Sequence, residues 1–141
     1  MTDSKSEASF RAAVAKANRA NEELLAGRSE ALIACFSHRE DASVLGGFGG
    51  HELGWRELGP RLEWVGATFA GGHCEYEEIS VVVGTDLAYV VQFERGEARI
   101  QGRTEPERLE LRVTMVFRRE DGEWKLLHRH ADPLIEKKAP S

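Results

Sequence analysis

Cysteine is scarce in this chain, and so are long apolar runs. Cys35 and Cys74 are its only cysteines. They fall in different predicted elements, so we expect two free thiols and a reduced, cytoplasmic setting. No run approaches the roughly 18 apolar residues of a membrane span, and the N-terminus lacks the apolar core of a signal peptide. These absences argue against a membrane or secreted protein.

Clustered positive charge is also missing. The net charge is −5 at pH 7, and acidic and basic residues are interspersed. Without a basic stripe to neutralise phosphates, nucleic acid is not an expected partner. A chain of 141 residues is long enough for one real hydrophobic core. We therefore predict a single domain over residues 1–141, with an ordered core from about residue 6 to residue 133.

Helical periodicity dominates the first third of the chain. Apolar residues recur at helical spacing from about Ser6 to Ala26, which predicts one amphipathic helix that ends at Gly27. Ser29 is well placed to cap a short second helix. A third helix is predicted to begin near residue 59, because Pro60 suits a first turn, and to end at two glycines, residues 71 and 72.

The segment between the second and third helices is rich in glycine. Five glycines lie between residues 46 and 54, around Phe48 and His51. Their spacing does not match a phosphate-binding loop. Glycine permits hinge motion and close approach of a ligand, so we interpret the segment as a loop at the mouth of a pocket. His51 and the neighbouring Trp55 are then candidate ligand contacts.

The second half of the chain alternates as β-strands do. Strands are predicted over residues 74–83 and 87–95, with Tyr89 as a possible pocket wall, while residues 97–106 either extend the pairing or form a loop. Two further strands flank Asp121-Gly122, a strong signal for a tight hairpin. Three segments of this hairpin carry polar or aromatic motifs: Arg-x-Thr at 112–114, Arg-x-Asp-Gly-x-Trp at 119–124 and His-x-His at 128–130.

This hairpin resembles that of SnoaL-like proteins. They belong to the nuclear-transport-factor-2-like superfamily, together with the ketosteroid isomerases and the hub domain of calcium/calmodulin-dependent kinase. The resemblance extends to roughly residues 6–133. It implies an α+β fold in which a cone-shaped, strongly curved and mostly antiparallel sheet is closed by three N-terminal helices. The same fold serves isomerases, cyclases, dehydratases and plain oligomerisation modules.

Periodicity alone leaves open which face of the hairpin is buried. The first strand has an apolar face that could be the core. On the second strand, however, Trp124 shares its parity with the two histidines, and burial of Trp124 is strongly favourable. The resemblance favours the face that places four polar side chains on the concave side: Arg112, Thr114, His128 and His130. The opposite residues, Leu111, Met115 and Phe117, would then lie on the convex face, where we predict a homodimer interface.

The chemistry of the predicted site rests on a few polar groups. His130 and Asp132 are candidate proton-transfer residues, although a buried structural histidine and an orienting carboxylate are the alternatives. Arg112 requires a carboxylate partner, which is Asp132, Glu78 or an acidic ligand. His128 and His130 lack a third metal ligand at a recognisable spacing, so neither a metal nor a cofactor is expected.

These patterns favour a small-molecule-binding protein. Its ligand would be a small organic compound in the cone, with an acid as one candidate class, bound by Arg112, Thr114, His128, Trp55, Tyr89 and His51. If the protein is an enzyme, acid–base chemistry of the isomerase, cyclase or dehydratase type is expected, with His130 and Asp132 as catalytic residues. The alternative is a non-catalytic dimerisation or oligomerisation module with a vestigial pocket.

Overall fold

The computed structural model describes residues 4–140, in which three helices and six strands are found. The predicted single domain extends at its ends into residues 1–3 and 141, which lie outside the described residues. The helices are α1 (Ser4–Leu25), α2 (Glu30–Cys35) and α3 (Trp55–Thr68). The strands are β1 (Ser43–Leu45), β2 (Glu52–Leu53), β3 (Phe69–Val83), β4 (Leu87–Ile100), β5 (Glu107–Glu120) and β6 (Glu123–Pro133). None of the described helices is both long enough and apolar enough to traverse a bilayer.

The strands form one curved, unclosed sheet in the order β2-β1-β6-β5-β4-β3. All neighbouring pairs are antiparallel except β1 with β6. The helices precede most of the sheet and pack against one of its faces. The α+β fold expected from the sequence, with N-terminal helices and a mostly antiparallel sheet, is therefore confirmed.

Helix α1 supplies the apolar layer that covers the concave face. Its buried residues recur at helical spacing and are Phe10, Val14, Ala17, Ala20, Leu24 and Leu25. The Phe10 ring lies edge-on against two rings of the hairpin, with centroids 5.1 Å from Phe117 and 5.5 Å from Trp124. Edge-to-face aromatic pairs of this kind add to the stabilisation from burial. Helix α1 is thus packed against the β5–β6 hairpin.

Helix α3 begins earlier than the sequence predicted. It starts at Trp55, so Pro60 lies inside it and leaves the Arg56 carbonyl without its usual backbone donor. It ends at Thr68, and the glycines predicted to stop it, Gly71 and Gly72, lie in β3 instead. An irregularity in the β3–β4 register accompanies them. The helix and the longest strand therefore follow one another without a loop.

The turn between β5 and β6 is the one predicted. Asp121 and Gly122 both have positive φ, 52° and 82° respectively. A two-residue hairpin turn with this backbone matches the right-handed twist of the flanking strands. The Asp-Gly sequence thus fixes the position of the hairpin.

A β-bulge in the same hairpin reverses the predicted faces. Val116 pairs with His128, but Phe117 pairs with Leu126, so Leu127 is an extra residue on β6. Side chains alternate along a strand, and one unpaired residue moves all later ones to the opposite face. Trp124 is therefore buried as expected, yet His128 and His130 point to the outer face.

The prediction that the arginine and the histidines line the concave side is therefore wrong. Val113, Met115 and Phe117 are buried against the helices, and Leu111 lines the interior. Arg112 and Thr114 alternate with them on β5 and so occupy the convex face. The apolar residues assigned to a dimer interface are instead the core of the protein.

Candidate functional site

A cavity lies between the helices and the concave face of the sheet. Its volume is about 110 Å³, comparable with an engineered apolar cavity of about 150 Å³ that binds benzene. Most of its wall is apolar, including Leu24, Leu58, Leu62 and Phe69. The charged residues of the wall are Glu52, Arg61, Glu94 and Arg129. An apolar cavity with a few polar groups is the usual form of a small-molecule site.

Glu94 and Arg129 form a buried ion pair in this wall. Arg129 Nη1 donates to Glu94 Oε2 at 3.0 Å, and Nη2 donates to Oε1 at 2.8 Å. The Glu94 side chain is 1% exposed and that of Arg129 is 16% exposed. Arg129 faces inward because it follows the bulge at Leu127. Two parallel hydrogen bonds of this kind fix the guanidinium in one orientation.

The side-chain amide of Gln92 holds Glu94 in position through hydrogen bonds. Gln92 Nε2 donates to Glu94 Oε2 at 2.9 Å and to Asn18 Oδ1 at 3.0 Å, which ties β4 to α1. Burial disfavours the charged form of Glu94, but the charge and hydrogen bonds of Arg129, with that of Gln92, hold its pKa below the usual range. Glu94 is therefore a carboxylate at neutral pH.

The cysteines are free, as predicted, and both are buried. Cys74 lines the cavity, and burial, with the nearby charge of Glu94, raises the pKa of its thiol to about 12. Burial also raises the pKa of Cys35. A thiol is a nucleophile only when ionised, so neither cysteine is activated for covalent chemistry.

Four of the predicted site residues do come together, but on the outer face. Arg112, Thr114, His130 and Asp132 line one shallow depression of the convex surface. Arg112 Nε and Nη2 donate to the two oxygens of Asp132 at 2.8 and 3.0 Å. These hydrogen bonds hold the pKa of Asp132 below its usual range. One of the partners considered for Arg112 is thus the observed one, whereas Glu78 pairs with Arg11.

Of the two histidines of β6, His130 lines this depression and His128 lies beside it. Their ring centroids lie 6.4 Å apart, and His128 Nδ1 is 2.8 Å from Ser43 Oγ on β1. Burial, together with the charge of His130, lowers the pKa of His128. His130 is exposed, so the alternative of a buried structural histidine is also wrong. No cluster of three potential metal ligands occurs in the described part of the chain.

The aromatic and loop candidates lie away from the cavity. Trp55 stacks on His38 with ring centroids 3.7 Å apart. Tyr89 is on the outer face of β4, because its neighbours Ala88 and Val90 are buried, and His51 is exposed. None of these three side chains lines the interior cavity. The glycine-rich loop that was predicted at the mouth does line the cavity, through Gly46, Gly47 and Phe48.

Sequence reasoning missed both members of the interior ion pair. Glu94 and Arg129 look like solvent-facing positions in an alternating strand, and their pairing spans three strands. The available signal was the conflict of parity on β6, where both Trp124 and Ala131 are apolar although they lie on opposite parities. A bulge between them resolves the conflict and turns Arg129 inward.

The family model for the SnoaL-like domain matches residues 14–136. The match covers the second half of α1, the two other helices, the cavity and the whole sheet. The chain belongs to the SnoaL-like domain family. The resemblance seen in the hairpin is therefore confirmed, and the superfamily is the nuclear-transport-factor-2-like one.

Solved structures of the superfamily have the same fold as this SnoaL-like domain. A nuclear transport factor 2-like superfamily protein from Salmonella enterica serovar Typhimurium matches with a TM-score of 0.82 at 14% identity, covering 96% of this chain and 95% of its own. A ketosteroid isomerase-like protein from Erwinia carotovora atroseptica has a TM-score of 0.80 at 19% identity, with 95% and 100% covered. A candidate dehydratase of the nuclear transport factor 2-like family from Streptomyces avermitilis has a TM-score of 0.79 at 22% identity, with 95% and 99% covered. Comparison with curated proteins gives no match.

Proposed function

We propose that this SnoaL-like domain binds a small organic molecule in its interior cavity, with an acceptor group of the ligand held by Arg129. The observation that carries the proposal is the ion pair of Glu94 and Arg129 in the wall of an otherwise apolar cavity. Burying two charges costs free energy that apolar residues of similar volume would not cost. Binding of a ligand by the ion pair would explain why the protein buries these two charges.

Arg129 retains donors for such a ligand. Three of its N–H groups are used, two by Glu94 and one by Met115 Sδ at 3.7 Å. A guanidinium has five, and the rest donate to no acceptor among residues 4–140. A carbonyl oxygen is the simplest group that accepts from them, since it brings no charge into the cavity.

The type of reaction, if the ligand is a substrate, follows from the same pair. Glu94 is ionised and both its oxygens accept from Arg129, so its role is to orient the guanidinium. Arg129 would then polarise a bound carbonyl oxygen, which is the electrostatic contribution that acid–base chemistry beside a carbonyl requires. We therefore propose acid–base chemistry of the isomerase, cyclase or dehydratase type. The names of the dehydratase-like and ketosteroid isomerase-like relatives support this class.

The predicted catalytic roles of His130 and Asp132 fit this proposal less well. Both side chains lie on the convex face, and Asp132 is engaged by Arg112 through both oxygens. A carboxylate with a lowered pKa is a weak base. A purely assembling role is also disfavoured, because a vestigial interior has no need of an oriented ion pair.

Ligand binding is tested with two probes that differ in one oxygen. Acetophenone carries a carbonyl on a single ring, and ethylbenzene has a similar body without it. We expect NMR titration of the labelled protein to show acetophenone binding about fivefold more tightly, since one good hydrogen bond contributes about 1 kcal/mol. The double variant Glu94→Gln/Arg129→Met should lose this preference, while Arg112→Met on the outer face should keep it. Equal affinities for both probes in the unmodified protein would contradict the role of Arg129.

We further propose that the convex face pairs with a second copy of the chain. Although Met115 and Phe117 are core residues, Val82, Leu87 and Tyr89 leave apolar surface on the outer face. A contiguous exposed apolar surface of this kind often marks an interface. The family resemblance also supports pairing, because members of the superfamily commonly pair their sheets back to back.

A single charge placed on that face tests the oligomeric state. Val91 lies in the middle of the outer face, opposite Thr114. We expect Val91→Arg to convert a dimer to a monomer in analytical ultracentrifugation, because the charge would lose its water in the interface. Ala67→Arg, on the exposed side of α3, should remain dimeric. A monomeric unmodified protein at the highest soluble concentration would remove this proposal.

A further inference from the structure

A second ion pair lies in the cavity wall, on the side of the glycine-rich loop. Glu52 of β2 and Arg61 of α3 line the cavity next to Gly47 and Phe48. The Arg61 side chain is 32% exposed and Phe48 is 61% exposed, in contrast to the fully buried Glu94. We call this pair, Glu52 and Arg61, the mouth pair. Val44 of β1 pairs with both Arg129 and Glu52, so Glu52 lies two strands from Arg129, and the mouth pair would meet the other end of a ligand bound by Arg129.

The mouth pair is held in position, but some of its hydrogen-bonding groups are unused. Arg61 Nε lies 3.3 Å from Glu52 Oε1, and its guanidinium carbon is 4.5 Å from the centroid of the Trp64 ring. Among residues 4–140, the terminal amino groups of Arg61 donate no hydrogen bond to protein. Glu52 Oε2 likewise accepts none from the described residues. The mouth pair therefore offers a ligand hydrogen-bond donors from Arg61 and an acceptor from Glu52.

The charges of the cavity wall balance. Glu52 faces Arg61, and Glu94 faces Arg129. Two carboxylates and two guanidinium groups sum to zero, so a charged ligand would bring an uncompensated charge into an apolar enclosure. Such a charge loses its hydration without gaining a counter-ion. The wall thus penalises an acid, although the sequence had suggested an acidic ligand.

We propose that the cavity selects a neutral ligand with two polar ends. Its carbonyl end accepts from Arg129, its apolar ring fills the cavity, and a group with both a donor and an acceptor, such as a carboxamide, binds the mouth pair. The amide oxygen accepts from Arg61 and the amide N–H donates to Glu52. This assignment of the ligand class rests on the proposed binding function, and it adds Glu52 and Arg61 as residues that determine specificity.

The experiment uses three compounds built on one ring. Acetophenone tests the carbonyl end alone, 4-acetylbenzamide adds a neutral donor and acceptor, and 4-acetylbenzoate adds a charge. In NMR titrations at neutral pH we expect the benzamide to bind about tenfold more tightly than acetophenone, because each of the two added hydrogen bonds contributes only about threefold at the partly exposed Arg61 and its partner. The benzoate should bind about tenfold more weakly than the benzamide.

Two variants of the mouth pair give opposite expectations. Glu52→Gln leaves the wall with one net positive charge, so the benzoate should overtake the benzamide. Arg61→Met removes the donors but leaves Glu52 to accept the amide N–H, so the tenfold gain of the benzamide over acetophenone should fall to about threefold. Glu63→Gln neutralises an exposed carboxylate of the same helix and should behave as the unmodified protein. Unfolding curves of each variant report whether the fold is retained.

The outcomes separate this inference from the proposed function. If acetophenone binds in an Arg129-dependent way but the benzoate binds at least as tightly as the benzamide, the inference is overturned and the binding function stands. The same holds if Glu52→Gln leaves the order of the two compounds unchanged. If acetophenone does not bind at all, the proposed function fails and the inference fails with it.

Discussion

Replacing Arg129 by methionine is expected to lower the free energy of unfolding by about 3–5 kcal/mol. The substitution removes the partner of Glu94 and leaves a carboxylate with 1% of its side chain exposed. The lost hydration of that carboxylate is then offset only by Gln92. Urea unfolding followed by fluorescence of the three tryptophans measures the change. Arg112→Met is the matched control, because that arginine also binds a carboxylate through two hydrogen bonds but is exposed.

The control should be indistinguishable from the unmodified protein at protein concentrations low enough for both to be monomeric, because Arg112 lies on the proposed dimer face. Exposed ion pairs exchange protein contacts for water at little net gain. The double variant Glu94→Gln/Arg129→Met should recover most of the loss, because it leaves no charge unpaired in the interior. A single Arg129→Met change that costs no more than Arg112→Met would show that the two faces of the sheet have been assigned incorrectly.

The pH dependence of the Arg129 variant should have the opposite sign to that of the unmodified protein. In the intact pair the pKa of Glu94 is below its unfolded value. The stability it contributes is therefore present above the unfolded pKa and is lost as the pH falls through the folded one. Without Arg129, burial dominates and raises the pKa of Glu94 above its unfolded value. The variant should then gain stability on acidification from neutral pH, measured against the double variant.

Much of this fold follows from local sequence signals. The spacing of Phe10, Val14 and Ala17 predicts α1, and Asp121-Gly122 predicts the hairpin turn, because each signal acts over a few residues. Trp124 was expected to be buried, and it is. These elements need no knowledge of their partners, since helical periodicity and positive φ are properties of the local chain.

The site was less predictable, because one residue decides which side chains meet. The conflict of parity on β6 indicates a bulge but not its position, and the bulge at Leu127 determines that Arg129 rather than His130 faces the cavity. Glu94 faces inward by the alternation of β4, and Arg129 reaches it because the bulge turns that side chain inward. A buried charge pair joined across strands is a tertiary feature, and alternation along a single strand cannot show it. The family resemblance fixed the fold correctly and the face incorrectly.

Replacing Phe117 by alanine is expected to cost about 3–5 kcal/mol, because the ring is buried beneath α1. It is 1% exposed and contacts the Phe10 ring edge-on at 5.1 Å. Removing it leaves a cavity and takes away the aromatic contact that joins the helix to the hairpin. Phe93→Ala provides the matched control, because Phe93 is the same residue type, partly buried, on the outer face of β4.

The two phenylalanine variants should differ in both stability and association. If Phe117 is a core residue, Phe117→Ala lowers the urea midpoint by the same amount at every protein concentration. Phe93→Ala should cost about 1 kcal/mol and should weaken the proposed dimer, so its unfolding midpoint should depend less on protein concentration than that of the unmodified protein. The reverse pattern, with Phe117→Ala affecting mainly association, would place Phe117 at an interface between copies and return the histidines to the interior. Concentration dependence of unfolding, combined with sedimentation, therefore decides which face of this sheet is the inside.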